Sequence, residues 1–132
     1  MYYFCTMEKK IIQTNAAPAP IGPYNQAIQM GDFLFVSGQI PLNPITGEIV
    51  NSGIQDETKM VMENLLAILK SAGMGFENVV KSTIFIMDMQ QFSEINSVYG
   101  SYFIDAAPAR ETVQVAGLPK GVNVEISVIA CK

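Results

Sequence analysis

The stretch from Pro108 to Ile129 constrains the fold most. Two runs rich in β-branched residues, Thr112 to Val115 and Val122 to Ile129, flank the turn-forming Gly117-Leu118-Pro119-Lys120-Gly121. Glycine and proline punctuate the chain between them, so the stretch reads as two strands joined by a turn. Successive side chains on a strand point to opposite faces. Arg110, Thr112 and Gln114 therefore share one face of the first strand, and Val113 and Val115 the other. In the second strand Val122, Val124, Ile126 and Val128 share a face, which puts Glu125 opposite them. One arginine and one glutamate thus stand on the polar faces of two apolar strands. A fixed cation for an anionic substrate and a fixed carboxylate for proton handling would have this pattern. On the pattern alone, a cross-strand ion pair worth at most about 1 kcal/mol is the simpler reading.

Upstream, Lys10 to Thr14 is a short strand candidate. Asn15 to Tyr24 carries three prolines and a glycine. Each proline removes a backbone donor and restricts its predecessor, so this segment follows a stiff, irregular path. It holds Tyr24, whose hydroxyl either serves a ligand or is satisfied on backbone, the commoner fate of a packed tyrosine. Asn25–Met30 and Phe33–Gln39 read as strands joined by the tight turn Gly31-Asp32. Ser37 ends the second of these beside Gly38, where a missing side chain lets a backbone or a ligand come close. A bulge with a structural serine is the plainer alternative.

Pro41 to Glu48 is a turn-rich loop. Ile54–Ala72 is the clearest helix, with Val61, Leu65, Ile68 and Ala72 on one stripe and Met62, Leu66 and Leu69 beside it. Gly73 and Gly75 end it. Val79–Met89 is a long strand, with Val80, Ser82, Ile84 and Ile86 opposite Val79, Lys81, Thr83, Phe85 and Met87. Both faces are largely apolar, which suits a helix over one face and another subunit over the other. Asp88–Asp105 is a second helix with Phe92, Ile95, Tyr99, Tyr102 and Phe103 inward. Asn96 lies near that stripe and would want a partner if buried. The order is ββαβαββ with a short strand in front. It predicts an α+β fold: one mixed sheet with two helices on one face.

The 132 residues suit one domain with a real core. Only 15% are charged, against the usual quarter, so part of the surface is expected to be covered in a homo-oligomer. The net charge of −4 and the lack of a basic run argue against nucleic acid. The chain has no histidine, the commonest general base and metal ligand, so a Ser-His or Cys-His system cannot form within it. Cys5 and Cys131 have no metal-ligand spacing; they either form a disulfide or stay reduced in a cytoplasmic protein, the plainer reading. No stretch approaches the ~18 apolar residues of a membrane helix. Met7-Glu8-Lys9-Lys10 looks like a second start, which sets residues 1–6 apart as an extension and 7–132 as the domain.

Several stretches together resemble the RidA/YjgF family of reactive intermediate deaminases. They are Ile21-Gly22-Pro23-Tyr24, Ser37-Gly38-Gln39-Ile40-Pro41, Asn43-Pro44 with Thr46-Gly47-Glu48, Pro108-Ala109-Arg110, Leu118-Pro119-Lys120-Gly121 and Val124-Glu125-Ile126. The resemblance runs from Met7 to Lys132, with the motifs in matching order and spacing. It implies a chorismate-mutase-like fold and a homotrimer with a cleft at each subunit interface. It also implies hydrolysis of 2-imino acids, such as 2-iminobutanoate and 2-iminopropanoate, to 2-oxo acids and ammonia, without metal or organic cofactor. By position, Arg110 matches the arginine that grips the substrate carboxylate and Glu125 the acid that orients water. Tyr24, Ser37 and Asn96 match residues lining the cleft. Thr112 stands where bacterial deaminases often carry cysteine; its backbone can still meet a ligand, but a thiol's contribution is lost. Two other readings use the same residues: a ligand-binding or regulatory trimer without turnover, and an RNA-cleaving or translation-inhibiting activity suggested for some relatives. Glu125 favours hydrolysis over binding alone, and the acidic balance and missing histidine disfavour RNA.

Overall fold

The computed structural model describes residues 8–132. The extension at 1–6 and Cys5 lie outside the described residues. Eight regular elements follow one another: β1 (Lys10–Ile12), β2 (Ala27–Met30), β3 (Phe33–Gln39), α1 (Ile54–Ser71), β4 (Val79–Ile86), α2 (Phe92–Gly100), β5 (Ala109–Gln114) and β6 (Val124–Cys131). The strands form one six-stranded sheet in the order β1-β2-β3-β6-β4-β5. All neighbours are antiparallel except β4 and β5. The sheet is mixed and both helices pack on one face, the expected α+β arrangement.

The two strands of the C-terminal stretch both form, but they are not partners. β4 lies between β5 and β6, pairing parallel with the first and antiparallel with the second. The reason is topological: α2 carries the chain from β4 back over the sheet, and such a crossover returns a parallel neighbour. This fills the side of β4 that β6 does not occupy. The turn before β6 still forms, with Lys120 held at φ 58 between Pro119 and Gly121.

The core under the helices follows the periodicity. Val61, Met62, Leu65, Ile68, Leu69 and Ala72 of α1 are buried against Leu34, Val36, Ile84, Ile86, Val124, Ile126 and Val128. Gly73 (φ +73) ends α1, where only glycine turns left-handed without strain. β4 departs from simple alternation. A bulge between Val79 and Lys81 turns Val80 outward, 46% exposed, while Val79 and Ser82 both face the core. β4 ends at Ile86, short of the expected Met89, although the Met87 amide still donates to the Asn123 carbonyl at 3.1 Å, one step beyond the β4–β6 register.

The second helix is shorter at both ends than its apolar pattern. Asp88 accepts from the Gln90 amide and sets a single 3₁₀ turn, Met89–Gln91, before α2 begins. After Gly100 the chain loosens into 3₁₀-type bonds from the Tyr102 and Phe103 amides to the Tyr99 and Gly100 carbonyls. Tyr102 and Phe103 still pack inward, edge-on to Phe76.

Buried polar side chains fix the loops. Gln26, 2% exposed, accepts from the Thr14 amide at 2.7 Å and turns its amide nitrogen to the Thr14, Ala17 and Pro18 carbonyls, which anchors the proline-rich segment. Asn64 on α1 donates to the Ile40 and Leu42 carbonyls. Asn43 caps its own loop by accepting from the Ile45 and Thr46 amides. The Asn43-Pro44 and Thr46-Gly47-Glu48 motif is thereby a turn-forming device. No described helix is long and apolar enough to cross a membrane.

The sheet face away from the helices is partly apolar and uncovered. Phe33 and Phe35 are each 48% exposed and lie side by side, their tilted rings 6.5 Å apart centre to centre. Ile28, Ile129, Phe85 and Val113 share this face by register. In its midst Lys81 pairs with Glu111 at 2.9 Å, and Thr83 donates to the same carboxylate. These bonds, Thr83 first and Lys81 second, hold Glu111 below the usual carboxylate range.

Candidate active site

Alternation along the strands sorts the candidate residues into two groups on opposite faces of the sheet. Arg110 pairs with Ser82, and Thr112 with Ile84, in parallel register. Ser82 and Ile84 are wholly buried beneath the helices, so Arg110 and Thr112 look toward the helix side at the edge strand. Glu125 alternates with the buried Val124 and Ile126 and pairs with Phe85, so it looks out from the uncovered face.

On the helix side, the Arg110 guanidinium carbon lies 5.5 Å from the centre of the Phe92 ring and 5.1 Å from that of Tyr99. Asn96 lies between these two on the helix, on the same stripe. The Asn96 Oδ1 and Thr112 Oγ1 atoms are buried and have no hydrogen-bond partner. The one ion pair among the described residues is Lys81–Glu111, so the guanidinium keeps its full donor capacity. This ledge therefore offers a cation with free donors and two buried oxygens free to accept. It suits a small anion that also carries an N–H or O–H group.

On the uncovered face, Ser37 donates to the Asn25 carbonyl at 2.6 Å, and the Tyr24 hydroxyl accepts from the Ile21 amide at 3.3 Å. Both therefore have the backbone roles that the plainer readings gave them. They also line one shallow hollow of about 420 Å³, with Phe35 and Ile28. The phenolic proton and the serine lone pairs stay free for a ligand. β3 bulges between Val36 and Gln39, which brings Gly38 under Glu125. A Cβ at Gly38 would lie 2.5 Å from the Glu125 Oε1 and 2.9 Å from its Cδ. What comes close at this glycine is the Glu125 side chain, rather than the backbone or ligand expected there. Burial raises the Glu125 carboxyl above the ordinary value. A carboxyl with its proton affinity raised is a better base than a solvated one.

Gly38→Ala is therefore expected to push the carboxylate aside without unfolding the chain, since Gly38 has no left-handed φ. A group misplaced by about 1 Å costs up to about 100-fold in rate. On the hydrolytic reading that the resemblance implies, turnover by this variant should fall by roughly tenfold or more at an unchanged melting temperature. Wild-type kcat would show that the fit between Gly38 and Glu125 has no functional weight.

One chain does not bring Arg110 and Glu125 together. β5 and β6 are separated by β4, and the two side chains leave opposite faces. Each half is open and lacks what the other holds. Gly38, Phe92 and Tyr99 are the residues whose place in the site the sequence pattern did not reveal. The i, i+4, i+7 spacing of Phe92, Asn96 and Tyr99 was the available signal, and it read as core. Among the described residues no three Cys, Asp or Glu side chains cluster as metal ligands would.

Comparison with known proteins places these residues in a family. The family model described as endoribonuclease L-PSP matches residues 14–132. A RutC family protein of Pyrococcus horikoshii is 51% identical over 94% of this chain and 98% of its own length. A 2-iminobutanoate/2-iminopropanoate deaminase of Mus musculus is 47% identical over 92% of this chain and 90% of its own. The crystal structure of a putative endoribonuclease from Thermotoga maritima superposes with a TM-score of 0.92 at 48% identity, covering 95% of this chain and 98% of that one. With its six-stranded sheet, its two helices and its motifs all in place, this chain belongs to the endoribonuclease L-PSP family, the Rid family of the resemblance.

Proposed function

We propose that the protein hydrolyses small 2-imino acids to 2-oxo acids and ammonia, at sites closed between copies of the chain. The observation that carries this reading is the division of the site. A donor-rich guanidinium and a desolvated carboxyl stand on opposite faces of one sheet, each half open. A neighbouring copy that laid its uncovered face against the β5 edge would bring its Glu125 to this Arg110. A homotrimer, in which each interface is used head to tail, would form three such sites. The exposed Phe33, Phe35 and Val113 supply apolar area for that contact. The mouse relative's name supports the substrate class.

The chemistry asks little of the protein. A guanidinium forms two parallel hydrogen bonds to the substrate carboxylate and fixes its orientation. Water adds to the carbon of the protonated C=N group, and Glu125 takes a proton from it as the C–O bond forms. Glu125 returns that proton to the nitrogen of the carbinolamine, the C–N bond breaks to release ammonia, and the hydroxyl proton passes to Glu125 as the C=O bond forms and from there to the departing ammonia as ammonium. A protonated imine is already electrophilic, so positioning the water supplies most of the acceleration. Asn96 Oδ1 is available to accept from the imine N–H, and the Tyr24 and Ser37 hydroxyls complete the polar wall.

The test couples this protein to a threonine dehydratase and follows 2-oxobutanoate. Its appearance should outpace spontaneous hydrolysis of the released imine in proportion to added protein. An unchanged rate, with 2-oxobutanoate still binding, would favour a ligand-binding role. RNA binding with a steep salt dependence would instead support the activity in the family's description. The net charge of −4 and the absence of histidine weigh against that outcome.

A further inference from the structure

We propose that Phe92 and Tyr99 act as a bracket that aims the Arg110 guanidinium, making α2 the positioning element of the anion-binding half of the site. Both rings lie within cation–π range of the same guanidinium carbon, at 5.5 and 5.1 Å. They come from the first and last turns of α2, seven residues apart, so the guanidinium spans the helix from one to the other. Arginine carries several rotatable bonds on an edge strand, where half of its surroundings are solvent. Holding it in one orientation requires contacts on its faces, because its edges must stay free to donate.

The bracket is itself anchored. The Tyr99 hydroxyl donates to Ser82 Oγ at 2.9 Å, in the buried layer under α2. Ser82 is the register partner of Arg110 on the adjoining strand. The ring therefore reaches down to β4 at the level at which Arg110 leaves β5. On its other side Tyr99 packs against Phe103 at 4.8 Å between ring centres. Phe92 is half-buried and is not part of the buried core, which leaves its ring available to the guanidinium. Held between the two rings, the guanidinium would keep its N–H donors for a ligand beside Asn96 and Thr112.

The kinetic arm of the test rests on the imine reading; a spectroscopic arm does not. Phe92→Leu and Tyr99→Leu should raise KM for 2-iminobutanoate, generated in situ, by about tenfold, with kcat changed less than about threefold. The Kd of 2-oxobutanoate should rise in parallel. Phe92→Tyr, which keeps a ring, should restore both. Tyr99→Phe keeps the ring and loses only the anchor, so its KM should rise by about two- to threefold. In the wild type the Arg110 Nε–H resonance should be displaced upfield by the two rings and move back in Phe92→Leu. If Tyr99→Leu fails to fold, Phe92→Leu decides, since that side chain lies at the helix start outside the core.

A KM within about twofold of wild type in Phe92→Leu would overturn the bracket and leave the imine reading standing. So would an equal loss in Phe92→Tyr. Should the wild type neither hydrolyse imine nor bind 2-oxobutanoate, the imine reading falls. The Arg110 resonance then decides the bracket alone, and an unshifted one overturns it.

Discussion

Replacing Arg110 with alanine is expected to lower kcat/KM for 2-iminobutanoate by about a thousandfold. Two charge-assisted hydrogen bonds to a carboxylate, each worth about 2 kcal/mol, account for that loss. The guanidinium has no ion-pair partner among the described residues, so the fold depends on its charge chiefly through the two aromatic rings it faces. Its cation–π contact with Phe92 and Tyr99 contributes about 1 kcal/mol of stability. For a chain of 132 residues this corresponds to a fall of only about 4 °C in melting temperature. Arg110→Lys should recover part of the binding and little of the rate, because an ammonium cannot fix the carboxylate plane. Single-turnover kinetics with circular dichroism melts would separate these effects. Wild-type kcat/KM in Arg110→Ala would remove the anchor from the proposed mechanism.

Changing Glu125 to glutamine should lose nearly all turnover and stabilise the fold. Glutamine keeps the shape over Gly38 but accepts no proton, and loss of a general base costs about 100- to 10,000-fold. The stability effect follows from linkage. Burial raises the folded-state affinity of this carboxyl for its proton. A group raised in this way contributes stability below its unfolded value, about 4.3, and loses it as pH rises through the folded one. At neutral pH the wild type therefore carries an ionised group that its surroundings disfavour. Glu125→Gln removes that cost. Its melting temperature should exceed the wild type's at pH 7 and fall less between about pH 4 and the raised value. A lower melting temperature at pH 7 would contradict the desolvated setting of Glu125.

The two inactive variants also test the division of the site together. Mixed, unfolded and reassembled in equal amounts, Arg110→Ala and Glu125→Gln chains should regain activity. About a quarter of randomly formed head-to-tail interfaces would join an intact Arg110 to an intact Glu125. A mixture as inactive as its components would place both groups in one chain's site, against the register of β4, β5 and β6.

The regular elements were legible because their signals are local. The apolar stripe of α1, the alternation in β3 and β6 and the glycine after α1 each act over a few residues. Which residues share one side of a strand was legible too, since Arg110 was grouped with Thr112, and Glu125 set opposite Val124 and Ile126, by period-two alternation. Three things were not. The separation of β5 from β6 depends on which edge of β4 the α2 crossover fills, a choice made by packing across the whole sheet. The bulges that turn Val80 outward and lower Gly38 beneath Glu125 depend on two strands being paired out of step, and one strand's sequence does not carry that count. The burial of Gln26 and Asn64 depends on carbonyls up to 24 residues away that need a donor. Alternation thus determined, from the sequence alone, that a cation and a carboxylate stand on strand faces. Only the tertiary structure decided that those faces look opposite ways, because a strand fixes its own sides but its neighbours decide which side becomes the core.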